Sequence, residues 1–429
     1  MHTRRFRALA VASIATAALS GVMVGGLANT AAAAPVAASH NKITTIGMDQ
    51  LKPAIKVAQE HTKQVMQQRA TQRKAMAADD CGTLYSGTGA NAVRWAGADR
   101  YAVSVCVSTG TWFDSTDTDP EHQSAVADAV VLARGDAYAD ALAGGPLAAW
   151  VEGPLLLTKS TSLPSNVRAE IQRVLAPTGK VYLLGGTGSI SPGVESTIAS
   201  MGYKPVRIGG ANRFEVAVNI AKAIPSTSTF FITNGMNFPD ALAAGNAASS
   251  YTLGAKYDET GTYLPVVMLF TNDTTMPAVS GNFAVQRAQE HGDTWALMTA
   301  GGAGNTAAVR AFGADNIGYP YVGHSRYDTA TLIDQDVFTD DQGLLINPYV
   351  GLVDGTNYPD ALTGSVMLSG LTAPLMLTPP TKLDPSTATF LRNHAGDSTD
   401  VGYVHVFGGP ASVSDSVMFA ARTAFTPVA

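Results

Sequence analysis

Arg100-Tyr101, Arg213-Phe214 and Arg326-Tyr327 stand at equal intervals in this chain, each arginine 113 positions after the previous one. A period this regular indicates that one structural unit has been copied three times, and such repeats decide the architecture of a chain. Each arginine ends a short polar or glycine-containing stretch. The three stretches are Ala96–Arg100, Gly209–Arg213 and Val322–Arg326.

Two more motifs follow each arginine in the same order. The first is an aromatic residue, a variable residue and then Asp-Ala-Leu, at Tyr138–Leu142, Phe238–Leu242 and Tyr358–Leu362. The second ends in a pair of glycines, at Leu184–Gly186, Ala300–Gly302 and Phe407–Gly409. The three copies fill residues 92–429, so they leave almost no room for a separate catalytic domain.

The first repeat shows the elements of the unit most clearly. Short apolar runs predict strands at Ala129–Ala133, Pro154–Thr158, Val181–Leu184 and Val206–Ile208. Helices are predicted at Arg100–Val107, Ala139–Val151, Pro164–Leu175 and Ser191–Met201. Strands without inside–outside alternation, separated by helices, are typical of a parallel sheet that is covered on both faces.

We therefore expect an α/β protein of three tandem, small, parallel-sheet modules, each with three layers. The predicted boundaries define module 1 as residues 92–205, module 2 as residues 206–318 and module 3 as residues 319–429.

Residues 1–33 have the pattern of a secretory signal peptide. Three arginines within residues 4–7 precede an apolar run at 8–27, and Ala31–Ala33 supply the small residues of a cleavage site. An uncleaved membrane anchor is the alternative. No later stretch reaches the roughly 18 apolar residues of a spanning helix. We therefore expect an exported protein with no membrane span in the mature chain.

The charge balance argues against nucleic acid as a partner. The formal charge is −6, and removal of the signal peptide with its three arginines brings it to about −9. Phosphate backbones need a basic protein surface. The charged fraction of 14% is low beside about 25% in average proteins, which is typical of long, buried strands.

Cys81 and Cys106 are the two cysteines of the chain. In an oxidising compartment they fit one disulfide, which would join the segment before the repeats to the first helix of module 1. Two inert free thiols are the alternative.

Residues 34–91 precede the repeats and are expected to form a leader and a helical spacer. The part up to residue 48 is polar and small, which indicates a flexible leader. Apolar residues between Ile55 and Ala70 have a rough helical spacing. A solvated helix that acts as a spacer and a helix that binds a partner are both open interpretations of residues 49–78.

The repeated motifs resemble those of the cell wall binding repeat 2 family of secreted Gram-positive and actinobacterial proteins. The family repeat reads roughly Arg-x-x-Gly-x-x-Arg-Tyr, Phe/Tyr-Pro-Asp-Ala-Leu, Pro-Leu-Leu-Leu-Thr and Leu-Gly-Gly, and the chain follows it over nearly all of residues 92–425. The resemblance implies Rossmann/Toprim-like modules arranged about a pseudo-threefold axis. It also implies a secreted, cell-wall-associated protein that binds anionic wall polymers non-covalently, with a peptidoglycan-associated hydrolase as a further candidate partner.

The chain departs from the family pattern in places. Module 1 has Ala139 where modules 2 and 3 have Pro239 and Pro359, and module 2 carries an extra stretch around Tyr251–Tyr263. We therefore do not expect binding to be shared equally by the three modules.

Arg100, Arg213 and Arg326 are the most distinctive polar residues of the repeats. A guanidinium group suits bidentate capture of phosphate or carboxylate groups on an anionic polymer. The alternative is that each arginine pairs with an acid across a module interface, and one groove can combine both roles. The same polymer-binding or module-interface set includes the aromatic residues that follow the arginines and the threonines that end the second strands, where open α/β sheets place ligands. These are Tyr101, Phe214, Tyr327, Thr158, Thr271 and Thr378.

Asp140, Asp240 and Asp360 are expected to be structural, because a carboxylate in the first turn meets the positive end of the helix dipole. Direct ligand binding is the alternative, but carboxylates repel an anionic polymer. Glycosidic hydrolysis needs two carboxylates at one site, and one aspartate per module does not supply that pair.

The eight histidines show no metal-ligand spacing, and the chain has neither G-x-S-x-G nor H-E-x-x-H. We therefore predict no metal site, no catalytic residue and no cofactor. The expected function is non-catalytic attachment to the cell wall. Two alternatives are a wall hydrolase with its site between modules, and an autolysin-modifying or adhesive protein that uses the helix at residues 49–78.

Overall fold

The residues that precede the arginine of the first repeat form helices and strands rather than only a flexible leader. In the computed structural model, the described residues are 43–70, 81–119, 125–225, 227–398 and 400–427. The predicted signal peptide and residues 34–42 of the predicted leader lie outside these ranges. The elements before the first arginine are β1 (Thr44–Thr45), a 3-10 turn (Met48–Gln50), α1 (Lys52–Ala70), β2 (Thr83–Tyr85) and β3 (Asn91–Trp95).

Each repeat then contributes alternating helices and strands. Module 1 contains α2 (Arg100–Thr109), β4 (Ala127–Arg134), α3 (Gly144–Trp150), β5 (Leu155–Thr158), α4 (Ser165–Val174), β6 (Leu175–Leu184), α5 (Pro192–Ser200) and β7 (Lys204–Ile208). Module 2 contains α6 (Arg213–Lys222), β8 (Thr229–Asn234), α7 (Pro239–Tyr257), β9 (Val266–Thr271), α8 (Ala278–Glu290), β10 (Thr294–Ala300), α9 (Gly302–Phe312) and a 3-10 turn (Ala314–Asn316), and β11 (Tyr319–Tyr321) follows at the predicted start of module 3. Module 3 contains α10 (Arg326–Val337), β12 (Tyr349–Asp354), α11 (Pro359–Leu371), β13 (Leu375–Thr378), α12 (Pro385–Asn393), β14 (Tyr403–Phe407) and α13 (Asp415–Ala424).

These strands form three sheets of the same design, which confirms the predicted α/β fold. Sheet 1 has the order β5-β4-β6-β7, sheet 2 has β9-β8-β10-β11, and sheet 3 has β13-β12-β14-β3-β2. All pairs are parallel except β2 with β3. Strands β5, β9 and β13 lie at one edge of each sheet and are buried along their whole length, which explains why their sequences are continuous apolar runs.

The fourth strand of each sheet links that sheet to the next repeat. Strand β7 pairs with β6 and then leads into the arginine helix of module 2, and β11 does the same between modules 2 and 3. Strand β3 pairs with β14 in register from Asn91 with Tyr403 to Trp95 with Phe407. The start of the repeat region therefore completes the sheet of the last repeat. This pairing joins module 3 to the start of module 1, so the three modules form a closed ring. The predicted boundaries at 92, 206 and 319 fall within or at the start of these strands, and as module boundaries they stay a prediction.

The small-residue helices pack against one another at the centre of the ring. Residues from α7, α11 and the segment at the start of α3 surround one narrow space, and they include Leu142, Gly145, Leu242, Gly245, Leu362 and Ser365. A Cβ atom placed on Gly145 would lie 2.6 Å from Ser249 Oγ of α7. Small residues are needed here because they let neighbouring helix backbones approach closely.

One predicted helix is shorter than expected. Residues 139–143 form turns, and α3 begins at Gly144 rather than at Ala139. In α7 and α11 the first helical residue is Pro239 or Pro359, whose ring sets the backbone φ angle of a helix. Ala139 does not impose that angle, so the same motif starts without a helix in module 1.

The segment before the repeats is packed into the protein, so the prediction of a flexible leader and a solvated spacer is wrong for its described part. Strand β1 extends sheet 2 by pairing in parallel with β10. Ala54, Ile55 and Ala58 of α1 are buried. A Cβ atom on Gly254 of α7 would lie 1.9 Å from the carbonyl oxygen of Ala54, so the two helices are in backbone contact at this glycine.

Cys81 and Cys106 form a disulfide with a Cα–Cα distance of 5.4 Å. The bond joins the residue just before β2 to α2, which is the connection that the sequence predicts. Cys106 is buried. The disulfide therefore ties the ring-closing hairpin of β2 and β3 to the first helix of module 1.

Candidate functional site

Each repeated arginine is the first residue of a helix that is capped by the residue before it. The side chains of Asp99, Asn212 and Ser325 accept hydrogen bonds from backbone N–H groups of α2, α6 and α10. Such side chains satisfy N–H groups that have no partner inside the helix. Each cap residue is followed by its arginine as the first residue of the helix, so the three arginines occupy equivalent positions in the three modules. Asp, Asn and Ser are favoured helix caps, and their place before each arginine is a sequence signal for these helix starts.

The guanidinium group of each arginine donates to a backbone carbonyl at the end of the first strand of its own module. The Nη1–O distances are 2.6 Å for Arg100 to Gly135, 2.6 Å for Arg213 to Gly235 and 2.7 Å for Arg326 to Gly355. All three arginine side chains are partly exposed. Each arginine is therefore anchored through one nitrogen at the carboxyl edge of a sheet.

The aromatic residues that open the Asp-Ala-Leu motifs meet at the pseudo-threefold axis. The ring centroids of Tyr138, Phe238 and Tyr358 are 5.5 or 5.6 Å apart in all three pairs, with interplanar angles of 60° to 66°. This spacing is typical of favourable tilted and edge-to-face aromatic contacts. In the sequence these residues mark the repeat, but local pattern does not predict their contact, because each lies in a different module.

Two arginines contact the aromatic residue of the preceding module. Arg100 lies over the ring of Tyr358 at 5.8 Å from its centroid, and Arg213 lies over the ring of Tyr138 at 5.5 Å. In both cases Nη1 is 3.4 Å from the tyrosine hydroxyl. Phe238 occupies the corresponding repeat position for Arg326 and has no hydroxyl. We call each arginine with its glycine carbonyl and this aromatic residue an arginine junction.

The alternative interpretation, in which each arginine pairs with an acid such as a repeated aspartate across a module interface, finds no such ion pair in the described part of the chain. There, none of the three guanidinium groups has a carboxylate oxygen within 4.0 Å. Burial raises the pKa of Asp240 and Asp360, and the more distant charges of Arg326 and Arg100, respectively, act against this rise. The arginines and aspartates thus influence each other across modules without direct pairing.

The aspartates instead hold the glycine pairs that follow the third strands. Ser189 Oγ donates to Asp140 at 2.5 Å, and Ser412 Oγ donates to Asp360 at 2.8 Å. Gly185, Gly301 and Gly408 have positive φ angles, and a Cβ atom on any of them would lie within 2.2 Å of an aspartate oxygen. This contact is consistent with the structural role expected for the aspartates. In module 2, the Thr329 side chain of module 3 acts to lower the pKa of Asp240 against the effect of burial.

Tyr101, Phe214 and Tyr327 face their own modules rather than a neighbouring one. Their rings pack over Gly135, Gly235 and Gly355, where a Cβ atom would lie 2.8, 3.3 and 2.7 Å from the ring carbon, respectively. The arginine binds the glycine carbonyl while the following aromatic ring covers its Cα atom. The pair therefore fixes the start of the helix against the end of the first strand.

Thr158, Thr271 and Thr378 are fully buried. Their hydroxyl groups donate to backbone carbonyls of the loops that follow them, at Ser162, Asp273 and Lys382 among others. Because the hydroxyls are used within these loops, we do not carry the threonines into the proposed binding site.

Within the described residues, no group of three or more His, Cys, Asp or Glu side chains is arranged to hold a metal ion. The same part of the chain has no helix that is both long and apolar enough to cross a membrane.

The repeats match a known protein family. The model of cell wall binding domain 2 (CWB2) matches residues 94–195, 207–286 and 321–418, which is more than half of the chain. The chain belongs to the cell wall binding domain 2 family. Each CWB2 match contains one Asp-Ala-Leu motif and one arginine junction residue, so the family repeat and the structural repeat coincide.

Two curated relatives of this chain come from Bacillus subtilis (strain 168). The N-acetylmuramoyl-L-alanine amidase LytC is 27% identical over 285 residues, which are 66% of this chain and 50% of the relative. The amidase enhancer is 30% identical over 171 residues, which are 39% of this chain and 22% of the relative. The CWB2 chain therefore spans at most half the length of these relatives.

Two solved structures share the fold. Cwp8 from Clostridium difficile has a TM-score of 0.63 at 21% identity, over 78% of this chain and 51% of that one. Cwp6 from Clostridium difficile has a TM-score of 0.62 at 20% identity, over 80% of this chain and 51% of that one. At these identities the likeness shows the fold alone.

Proposed function

We propose that this protein is a secreted, non-catalytic protein that attaches to anionic cell wall polymers through its arginine junctions. The observation that supports the proposal is the exposure and hydrogen bonding of the three guanidinium groups. Each is partly exposed, each donates one nitrogen to a glycine carbonyl, and none has a carboxylate partner within 4.0 Å among the described residues. Family membership supports the wall as the target.

The junction geometry suits an anionic group. A guanidinium group has five N–H donors in a planar fork, and one bond to a carbonyl leaves donors for a phosphate or carboxylate oxygen. The carbonyl holds each arginine side chain in place, and an aromatic ring also does so for Arg100 and Arg213, so less conformational entropy is lost when a ligand binds. The acidic net charge of −6 does not oppose this, because local charges act within about 8–10 Å at physiological salt.

Co-sedimentation with purified Gram-positive cell walls tests the proposal. We expect the protein to pellet with intact walls, to stay in solution with walls whose secondary polymers have been removed by acid extraction, and to be released as salt is raised. Binding to extracted walls at the same level, or binding that high salt leaves unchanged, contradicts recognition of an anionic polymer by exposed arginines.

A wall hydrolase remains the alternative, because one relative is an amidase. A zymogram with purified walls distinguishes the two functions: we expect no clearing band, and a band overturns the non-catalytic assignment. An amidase-modifying role is the second alternative, suggested by the amidase enhancer. It requires a contact surface other than the face of α1 that contains Ala54, Ile55 and Ala58, because these residues are already buried.

A further inference from the structure

A groove lies on module 1 at the amino-terminal edge of sheet 1, the opposite edge from the arginine junctions. Its volume is about 400 Å³, and it is lined by Trp150, Tyr182, Lys180, Lys204, Asp128 and Ala129 among others. Trp150 and Tyr182 are partly exposed, whereas Lys180, Lys204 and Asp128 are exposed. The groove thus combines two aromatic walls with two cationic side chains.

The two lysines are neighbours without an acidic partner. Lys180 of β6 and Lys204 of β7 are directly paired in the parallel register, so their side chains emerge on the same face. Adjacent strands are about 4.8 Å apart, and like charges at such a spacing repel. Neither lysine has a carboxylate within 4.0 Å in the described part of the chain, although Asp128 lines the same groove. An anionic ligand between them would remove the repulsion.

The aromatic wall is held in position from outside the groove. Lys256 of α7 lies 5.8 Å from the ring centroid of Trp150 and donates to its backbone carbonyl at 2.7 Å. The same ammonium group forms a salt bridge with Glu152 at 2.8 Å. A side chain fixed in this way offers its apolar surface to a ligand at little further entropic cost.

The other two sheets lack this groove for identifiable reasons. In sheet 3, Tyr349 and Tyr403 occupy the register positions of Ala129 and Lys180, and their rings pack at 5.7 Å. Strand β10 of sheet 2 corresponds to β6 of sheet 1. In sheet 2, β1 pairs with the edge of β10 that corresponds to the edge of β6 where β7 pairs in sheet 1. The open space and the paired lysines are therefore specific to module 1.

We propose that the module 1 groove binds a sugar ring that carries a phosphate or carboxylate group. The C–H face of a pyranose is apolar and packs on aromatic side chains, and the two ammonium groups then meet the charged substituent. Asp128 is placed to accept a hydrogen bond from a sugar hydroxyl. This site is separate from the arginine junctions, so the inference stands whether or not those junctions bind the wall.

Saturation-transfer NMR with glucose 6-phosphate as the probe tests the groove in the purified chain. We expect glucose 6-phosphate to bind about tenfold more tightly than glucose, and the Lys180→Ala/Lys204→Ala variant to lose that difference. Ala129→Tyr, which copies module 3, should abolish binding of both sugars, and its melting temperature shows whether it folds. Glucuronate in place of the phosphate distinguishes a carboxylate from a phosphate ligand.

One control keeps this test apart from the proposed function. Lys222→Ala removes an exposed lysine of α6 and should bind glucose 6-phosphate like the parent. Any glucose 6-phosphate bound at the arginine junctions is the same in the parent and in the double lysine variant, so the difference between these two reports on the groove alone. Absence of saturation transfer, an unchanged affinity in the double lysine variant, an equal loss in Lys222→Ala, or equal competition by inorganic phosphate alone would each overturn the proposal.

Discussion

Arg213 of module 2 lies over the ring of Tyr138 of module 1, with 5.5 Å from its guanidinium carbon to the ring centroid and 3.4 Å from Nη1 to the hydroxyl. The same hydroxyl donates to the carbonyl of Met236 at 2.8 Å. One aromatic residue at the axis therefore joins the arginine and the strand-end loop of the next module. Interface packing and the candidate binding site share these atoms.

Arg213→Lys tests whether the junction recognises polymer or only holds modules together. Lysine keeps the charge but loses the planar fork, so we expect wall binding to weaken about tenfold. Loss of the bond to the Gly235 carbonyl should lower the free energy of unfolding by only about 1 kcal/mol. Co-sedimentation and urea unfolding of the same preparation separate the two effects. Unchanged wall binding in this variant and in Arg100→Lys would remove the arginines from the proposed site.

Tyr138→Phe tests the hydroxyl at the axis. The variant leaves the Met236 carbonyl without its donor, and we expect a loss of about 1 kcal/mol in the free energy of unfolding. Phe238→Tyr is the matched control, because it adds a hydroxyl at the equivalent position without removing a bond. Equal stability of Tyr138→Phe and the parent in urea unfolding would show that the hydroxyl contributes nothing to the interface.

Gly254→Ala tests the packing of α1 on α7. The new Cβ atom would lie 1.9 Å from the Ala54 carbonyl oxygen, so one helix must shift, and we expect a loss of about 1–3 kcal/mol. Gly370→Ala in α11 is the control, since a Cβ there meets no atom within 4 Å. That change should be neutral or should stabilise the helix by about 0.5–1 kcal/mol. If both variants have the same urea midpoint of unfolding as the parent, α1 does not pack against α7 at Gly254.

Cys81→Ser/Cys106→Ser tests the disulfide. The bond closes a loop with a sequence separation of 25, and its removal should cost about 2–4 kcal/mol of unfolding free energy. The oxidised parent, the reduced parent and the variant are compared by denaturant unfolding. We expect the reduced parent to match the variant. A variant as stable as the oxidised parent would mean that the bond does not constrain the unfolded chain.

Asp334→Asn tests a buried carboxyl group in α10. Asp334 is 0% exposed, one of its oxygens accepts from the Leu375 N–H at 3.3 Å, and burial raises its pKa well above the usual range. The folded state therefore binds a proton more tightly than the unfolded state, whose aspartate pKa is about 3.9. This contribution to stability is complete below that pH and is lost as pH rises towards the folded pKa.

The amide of Asp334→Asn stays neutral at every pH. We expect the variant to be more stable than the parent at neutral pH and to lose less stability between pH 4 and pH 8, as measured by urea unfolding across that range. A parent and a variant with the same pH dependence would show that Asp334 does not titrate in this way.

The sequence predicts the parts of this protein that depend on local pattern. Apolar runs such as Pro154–Thr158 indicate buried parallel strands because no alternation is present, and the interval from Arg100 to Arg213 to Arg326 shows three copies of one unit. Even so, local pattern misplaces the start of α3, because the helix propensity of Ala139–Ala143 does not outweigh the missing proline at its first position.

Contacts between residues far apart in the chain were decided only by the tertiary structure. Strand β3 pairs with β14 because the ring closes, and no feature of Asn91–Trp95 names that partner. The contacts among Tyr138, Phe238 and Tyr358 and the burial of α1 arise in the same way, since each needs modules to be in place first. The repeat and its residue types can be predicted from the sequence. The contact between a given arginine and a given aromatic ring depends on how the modules pack around the axis.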